Sequence, residues 1–457
     1  MKKKILLLSD DMRYTSGIAN MSKELVIGTC HKYDWVQLGA AVNHPESGKI
    51  IDVSNDIKKN LGIEDANVRI YGNNGYGNIF QIRQLLEIEK PDAILHFTDP
   101  HYWYWLYEAE HEIRQHVPLM FYHIWDDLPD PIWNKNFYES CDWIGCISKQ
   151  TYGIVHRVGK LNNGKTQTPL KDWQISYVPH GINENIFKPL DIISSDYYDM
   201  IHKDKKYDFV LLFNNRNIRR KQPADVIYAY KLFCDQLPKE KSDKCLLLMY
   251  TTPVDNNGTD LYAVKNDLCP DYNVSFLDMK IVQDELNHIY NIVDCTINIA
   301  NNEGFGLTTA ESVMAGTPII VNVTGGLQDQ CGLHINNKEF DADQYIKLGT
   351  LHDKKKWDFL SHGEWVEPVW SVSHTLNGSP LTPYIFDDRV NLEDVSDAIM
   401  RVYNLGRDER KRRGLIGREW MKKNLSSKIM CDKLIEGIET TLNNYTKRKK
   451  YDLHKII

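Results

Sequence analysis

The stretch Asn301-Asn-Glu-Gly-Phe-Gly-Leu-Thr-Thr-Ala-Glu-Ser-Val-Met-Ala-Gly-Thr-Pro-Ile-Ile-Val321 decides how this chain is read. It follows Cys295–Ile299, an apolar run that reads as a strand. Gly304 and Gly306 let the backbone come close to a ligand. The loop opens into a helix over Thr308–Ala315, whose free N–H groups favour an anion such as a diphosphate. Glu311 stands eight residues after Glu303, about one turn inside the helix, near enough to turn back to the same ligand. A carboxylate there can accept hydrogen bonds from two adjacent hydroxyls of a ribose or hexose. Gly316-Thr-Pro318 ends the helix and starts a strand, Pro318–Val321. A glycine pair alone is weak evidence, because an ordinary strand–loop–helix has one too. The whole string is far more specific.

The same alternation runs outward on both sides. Phe209–Phe213, Cys245–Tyr250 and Val274–Phe276 read as strands, with helices at Ala224–Cys234 and Gln283–Asn291. Earlier, Lys4–Leu8, Trp35–Leu38, Ala93–Phe97, Leu119–Tyr122, Trp143–Ile147 and Ile175–Val178 read as strands. Helical patterns lie between them at Ser22–Thr29, Ile79–Ile88, Trp105–Gln115 and Gln150–Val155. Strand–helix alternation predicts parallel sheets covered on both faces. The turn-rich stretch Pro179–Pro189 looks like the exit from a first domain. Helical material closes the chain from Val395 to about Tyr445. The expected domains are residues 1–187 and 188–425, with 426–457 as a helix returning to the first. Residues 331–386 read as an insertion at the rim of the second domain, carrying Trp357, Trp365, Trp370, His362 and His374. Ligands of such folds bind where strand ends lead into helices.

Composition narrows the classes. The chain has 457 residues, 42% hydrophobic and 26% charged, an ordinary globular balance for two sizeable domains. A formal net charge of −7 weighs against a protein that coats nucleic acid. Short basic runs such as Arg219–Lys221 and Arg410–Arg413 are more often solvated surface than binding sites. Nine cysteines without a C-x-x-C pair argue against a zinc ribbon or a disulfide framework. No apolar run approaches the roughly 20 residues that cross a bilayer, so a cytoplasmic location is expected. Asp341-Ala-Asp343 is a D-x-D string in a polar stretch, away from any strand end, and is discounted as a metal site.

The segment Glu303–Pro318 resembles the E-x7-E signature of family-four retaining glycosyltransferases, usually E-G-F-G-x-x-x-x-E-A-M-A-x-G-x-P, with Ser312 where Ala is common. Three further segments fall in that family's order. Val178-Pro-His-Gly-Ile-Asn-Glu-Asn-Ile-Phe-Lys-Pro189 resembles V-P-N-G-V-D-x-x-x-F-x-P. Asn215-Arg216 with Lys221 resembles G-R-x-x-x-x-K, and Thr324-Gly-Gly326 the following G-G loop. The resemblance covers most of residues 175 to 330 and weakens towards the start of the chain. It implies a GT-B fold, two Rossmann-like doubly wound domains facing a cleft, and hexosyl or pentosyl transfer with retention. The donor implied is a nucleoside-diphosphate sugar, UDP-linked by first expectation. No metal or other cofactor is implied. Arg216 and Lys221 would hold the diphosphate with the Gly306–Leu307 backbone; Gly304 and Phe305 line the same loop. Glu303 would orient the sugar and Glu311 the ribose.

In the first domain, Gly17 matches a family loop that lies against the donor phosphates, though one glycine stands where many relatives have two. Phe121-Tyr-His-Ile-Trp-Asp-Asp-Leu-Pro129 resembles T-x-H-D-x-x-P. Aligned on the proline, Asp126 matches the acid and Trp125 replaces the histidine. His123, two residues upstream on the same strand face, is the nearest substitute, and His96 is a second candidate. Leu8-Ser-Asp-Asp-Met-Arg-Tyr-Thr-Ser-Gly17, Lys32–Gly39 and Trp125-Asp-Asp-Leu-Pro129 resemble glycosyltransferases of large tailed phages, some of which modify hydroxymethylated pyrimidines in DNA. That resemblance implies a DNA base as one acceptor; a cell-surface polysaccharide or lipid-linked glycan is the alternative. Other classes compete. A NAD-dependent oxidoreductase would need G-x-G-x-x-G after the first strand, which Asp10–Asn20 does not supply. A non-catalytic sugar-nucleotide-binding protein, and an epimerase or phosphorylase on this architecture, stay open.

Overall fold

The computed structural model describes residues 2–125, 127–161, 169–203, 205–348 and 359–450. The chain forms two compact units. One comprises Met1–Trp125, Asp130–Gly181 and Ser427–Ile457, the other Asp126–Pro129 and Ile182–Ser426.

The first unit is built on eight strands: β1 (Lys3–Asp10), β2 (Tyr33–Ala41), β3 (Ile50–Asp52), β4 (Val68–Asn74), β5 (Ala93–Phe97), β6 (Leu119–His123), β7 (Trp143–Cys146) and β8 (Ile175–Tyr177). Their order is β3-β4-β2-β1-β5-β6-β7-β8. All pairs are parallel except β3 with β4. The order reverses between β1 and β5, the switch point of a doubly wound sheet. The core of β1, Ile5 to Leu8, is buried throughout, which is why it reads as an unbroken apolar run. The edge strand β3 and its neighbour β4 have no such run and were not legible. The helix Ser427–Asn444 belongs to this unit and buries Met430, Leu434 and Ile438. Ser427 Oγ donates to Glu24 at 3.0 Å, and Tyr33 OH donates to Glu439 at 2.7 Å.

The second unit has a six-stranded parallel sheet. Its strands are β9 (Phe209–Asn214), β10 (Cys245–Tyr250), β11 (Val274–Leu277), β12 (Cys295–Asn298), β13 (Ile319–Asn322) and Val366–Val369. The order is β11-β10-β9-β12-β13 followed by Val366–Val369. The reversal falls between β9 and β12. Phe209, Leu211, Phe213, Leu247, Ile297 and Ile320 pack with the helices Pro223–Asp235 and Leu392–Asn404 into one core.

Residues 331–386 do not form one surface excursion. Val366–Val369 is the sixth strand of the sheet, parallel to β13. Trp365 is buried, donates from Nε1 to the Gln330 carbonyl at 3.0 Å and tilts against Trp420. A run of only four residues interrupted by Pro368 gives too little pattern to be read as a strand. What does leave the sheet is an antiparallel hairpin, Ser371–Ser379 with Thr382–Val390. Trp357 lies outside the described residues. Asp341 accepts from the Gln344 N–H at 2.7 Å as the cap of the helix Ala342–Leu348, which accounts for that acid of the D-x-D string. Among the described residues no helix is long and apolar enough to cross a membrane.

Candidate functional site

The loop after β12 sits at the switch point of the second sheet. Gly306, at φ 86°, takes the left-handed conformation that turns the chain into the helix Leu307–Met314. Gln330 Nε2 donates to the Phe305 and Gly306 carbonyls at 2.6 and 2.8 Å and fixes that turn. Gly325 and Gly326 lie flat against the loop. Gly326 N–H donates to the Glu303 carbonyl at 2.7 Å, and a Cβ at either glycine would overlap the backbone of Glu303 or Gly304.

Glu303 is buried among cations. Lys221 Nζ is bonded to its Oε2, Arg220 Nη1 lies 3.3 Å from the same oxygen, and Asn298 Nδ2 donates to Oε1 at 3.3 Å. Burial by itself would raise this carboxyl, but Lys221 and Arg220 outweigh it and hold Glu303 below the usual carboxylate range. Arg220 also donates to the Asn302 carbonyl at 2.9 Å, and its own carbonyl accepts from Asn301 N–H at 2.8 Å. The basic turn Arg219–Lys221 is therefore stitched to the glycine loop.

Glu311 is one turn further in. Its Oε2 accepts from Tyr290 OH at 2.9 Å, and that hydroxyl accepts from Asn214 Nδ2 at 2.9 Å. Among the described residues no cation is bonded to it in the way Lys221 is to Glu303. Burial pushes its carboxyl up to about 7, against the lowering effect of the Tyr290 bond. Two carboxyls on one loop and helix thus differ in charge near neutral pH, because one has cations and the other has only a phenol.

Three further polar atoms at these strand ends, Asn215 Nδ2, Thr251 Oγ1 and Thr308 Oγ1, are buried without a hydrogen-bond partner among the described residues. They stand after β9, after β10 and at the start of the helix, where strand ends lead into helices. Asn215 and Thr308 lie in quoted motifs and Arg220 in a quoted basic run, though none of the three was named as a site residue; Thr251 and Tyr290 were not singled out. Arg220 had a signal in its basic run, whereas Tyr290 lies on the helix just before β12.

Arg216 is placed differently from Lys221. Its side chain is 69% exposed and its Nε is 3.8 Å from Asp255 Oδ2. The cation bonded to Glu303 beside Lys221 is Arg220, not Arg216.

In the first unit, Gly17 begins the helix Gly17–Thr29 after β1. Ser16 caps that helix by accepting from Ala19 N–H at 3.0 Å, and its hydroxyl donates to Asp10 at 2.8 Å. His123, the candidate site histidine of the first domain, is a core residue in this unit. It is fully buried and bonded through Nε2 to Tyr138 OH at 2.9 Å. Burial lowers its pKa to about 3, so it is neutral across the physiological range. His96 is alike, buried against Tyr107 OH at 2.7 Å. Asp126 lies outside the described residues.

Residues 199–342 match the family model described as glycosyl transferases group 1. A D-inositol 3-phosphate glycosyltransferase of Thermobispora bispora is 25% identical over 187 residues. That stretch is 40% of this chain and 40% of the relative. Among solved structures, a glycosyltransferase from Rickettsia africae has a TM-score of 0.62 at 16% identity, over 97% of this chain and 99% of that one. Sucrose-phosphate synthase of Thermosynechococcus elongatus gives 0.64 at 14%, over 97% and 100%. Anabaena HepE in complex with UDP and glucose gives 0.59 at 12%, over 96% and 100%. The fold is the α/β fold of GT-B glycosyltransferases, with two Rossmann-like parallel sheets.

Proposed function

We propose that the protein is a retaining glycosyltransferase that moves a hexose or pentose from a nucleoside-diphosphate sugar to a hydroxyl acceptor. The observation that carries this reading is Glu303, held between Lys221 and Arg220 at the mouth of a helix N-terminus, with the partly protonated Glu311 one turn inside. The match to the group 1 family model spans this loop. UDP is the first nucleotide to try, since HepE is described with UDP and glucose.

The barrier is departure of the diphosphate from an oxocarbenium-like carbon, so positioning and charge stabilisation do the catalysis. Lys221, Arg220 and the N–H groups at Gly306–Leu307 receive the diphosphate, with Arg216 adding charge from the surface. A diphosphate that engages Lys221 and Arg220 frees the Glu303 carboxylate for the sugar hydroxyls. Glu311 takes the ribose hydroxyls, and does so best when ionised. The bond from the anomeric carbon to the diphosphate oxygen breaks, the bond to the acceptor oxygen forms on the same face, and the acceptor proton leaves with the diphosphate. On the acceptor side, Gly17 lies at the loop assigned to the phosphates and Asp126 at the acceptor or sugar, both by family resemblance. The burial of His123 gives it a packing role. The resemblance to phage enzymes makes a hydroxymethylated pyrimidine of DNA the first acceptor to test.

The test is release of nucleoside diphosphate from a panel of nucleotide sugars, with and without DNA containing 5-hydroxymethylcytosine, and assignment of the product anomer by NMR. Release stimulated by that DNA is expected. Release without stimulation keeps the transferase and moves the acceptor to a glycan or lipid. Binding without release favours a sugar-nucleotide-binding protein, and an inverted product removes retention. No release and no binding with any donor overturns the reading.

A further inference from the structure

The hairpin that follows the sixth strand belongs to no motif in the chain, yet one of its residues reaches both walls of the Glu303 loop. Asp388 is buried and pairs across the hairpin with His374. Its backbone N–H donates to the Asn301 carbonyl at 3.1 Å. Its backbone carbonyl accepts from Asn322 Nδ2 at 2.8 Å, and the same Asn322 amide donates to Ala300 at 2.9 Å. Its Oδ2 accepts from Thr324 Oγ1 at 2.6 Å, and its Oδ1 is 2.7 Å from His374 Nδ1. Thr324 leads directly into Gly325-Gly326, the pair that presses on the backbone of Glu303 and Gly304. One residue therefore fixes Asn301 before Glu303 and, through Thr324, the glycine pair that lies over Glu303.

We infer that Asp388 is a positioning residue for nucleotide-sugar binding, acting through Asn301 on one side and Thr324-Gly325-Gly326 on the other to set where the Glu303 carboxyl stands. The inference rests on the donor-site reading above. The His374 contact makes the hairpin a support for the loop: His374 fills the second carboxylate oxygen and leaves the first aimed at Thr324. The exposed tip, at Leu376 and Leu381, plays no part in this clamp.

The experiment compares Asp388→Ala, Asp388→Asn and Thr324→Val with the natural protein. Binding of UDP, GDP and ADP is measured by calorimetry and turnover by nucleoside diphosphate release, at a temperature where circular dichroism shows each variant folded. Asp388→Ala and Thr324→Val should each raise the nucleotide Kd and the donor KM by about tenfold, because a misplacement of about 1 Å is enough to cost that much. The acceptor KM should stay unchanged. Asp388→Asn keeps an oxygen for the Thr324 hydroxyl and should recover most of the affinity. Asp388→Ala combined with Thr324→Val should be no worse than either alone, since both cut one path. Thr324→Val keeps every main-chain bond of Asp388 and serves if Asp388→Ala does not fold. Folded variants with unchanged donor KM and Kd would overturn the inference while leaving the transferase intact. Unfolding of all three would also overturn it, by making Asp388 part of the core. A natural protein that binds no nucleotide and turns over no donor would sink the underlying reading, and this inference with it.

Discussion

Each unit has a switch point, and the two are furnished differently. Between β9 and β12 the strand ends carry paired charges: Lys221 and Arg220 on Glu303, with Glu311 held by a phenol. Between β1 and β5 the nearby histidines, His96 and His123, are sunk into aromatic surroundings and bonded to tyrosine hydroxyls. Charges held in a shaped loop suit one fixed ligand group, a diphosphate. A histidine with no solvent access contributes packing. The same architecture therefore carries its chemistry on loops, and the sheet alone says nothing about which end is used.

Four measurements bear on that contrast. The largest effect is expected at Lys221. Lys221→Ala removes a cation from a buried carboxylate and should lower kcat/KM by about 10²-fold. It should also cost several kcal/mol of stability, roughly 3–5 for breaking a buried pair. Steady-state kinetics and urea unfolding check both, and near-normal turnover would remove Lys221 from the site.

Next is Glu311. Its folded pKa, about 7, lies above the ordinary value of 4.5. The protonated form is the one the fold prefers, so this contribution to stability is complete below pH 4.5 and fades as pH rises through about 7. Unfolding of the natural protein relative to Glu311→Gln should show that decline, with the variant gaining relative stability at pH 8. Ribose hydroxyls need the ionised acceptor, so UDP binding should strengthen by up to about tenfold per pH unit below 7 and level off above it. A flat binding profile from pH 5.5 to 8 would show that Glu311 does not meet the ribose.

Arg216 should matter less. Exposed charges are screened, so Arg216→Ala should raise the donor KM within about fivefold, and less at high salt. A loss as large as that of Lys221→Ala would show that Arg216 swings onto the diphosphate when donor binds. The smallest catalytic effect is expected at His123. His123→Phe strands the Tyr138 hydroxyl and should cost about 1–3 kcal/mol of stability. Turnover per folded molecule should stay within about twofold, and a large loss with stability intact would return His123 to the chemistry.

The contrast also explains what the sequence could tell. Buried parallel strands such as β1 and β9 are unbroken apolar runs, so the two sheets were legible. The Glu303–Glu311 string was legible because loop, glycines and acids are contiguous. The motif resemblance pointed to Arg216 and Lys221, and the bond of Arg220 to Glu303 became visible only in the folded chain. Val366–Val369 was lost inside a presumed insertion, since four residues with a proline carry no period. Asp388 is far from the loop in sequence, and Tyr290, on the helix just before β12, meets Glu311 only through folding. The burial of His123 was illegible for a different reason. Being at a strand end does not say which way a side chain faces.

Along the chain most of the second unit is an insertion in the first: Ile182–Ser426 lies between Gly181 and Ser427. That path sets a schedule for biosynthesis. As the ribosome advances, Ile182–Ser426 is released as a nearly continuous block and can close its sheet early. The first sheet, begun earlier, must wait for the helix Ser427–Asn444 before Glu24 and Tyr33 find their partners. The part translated first is thus finished last, when the end of the chain arrives.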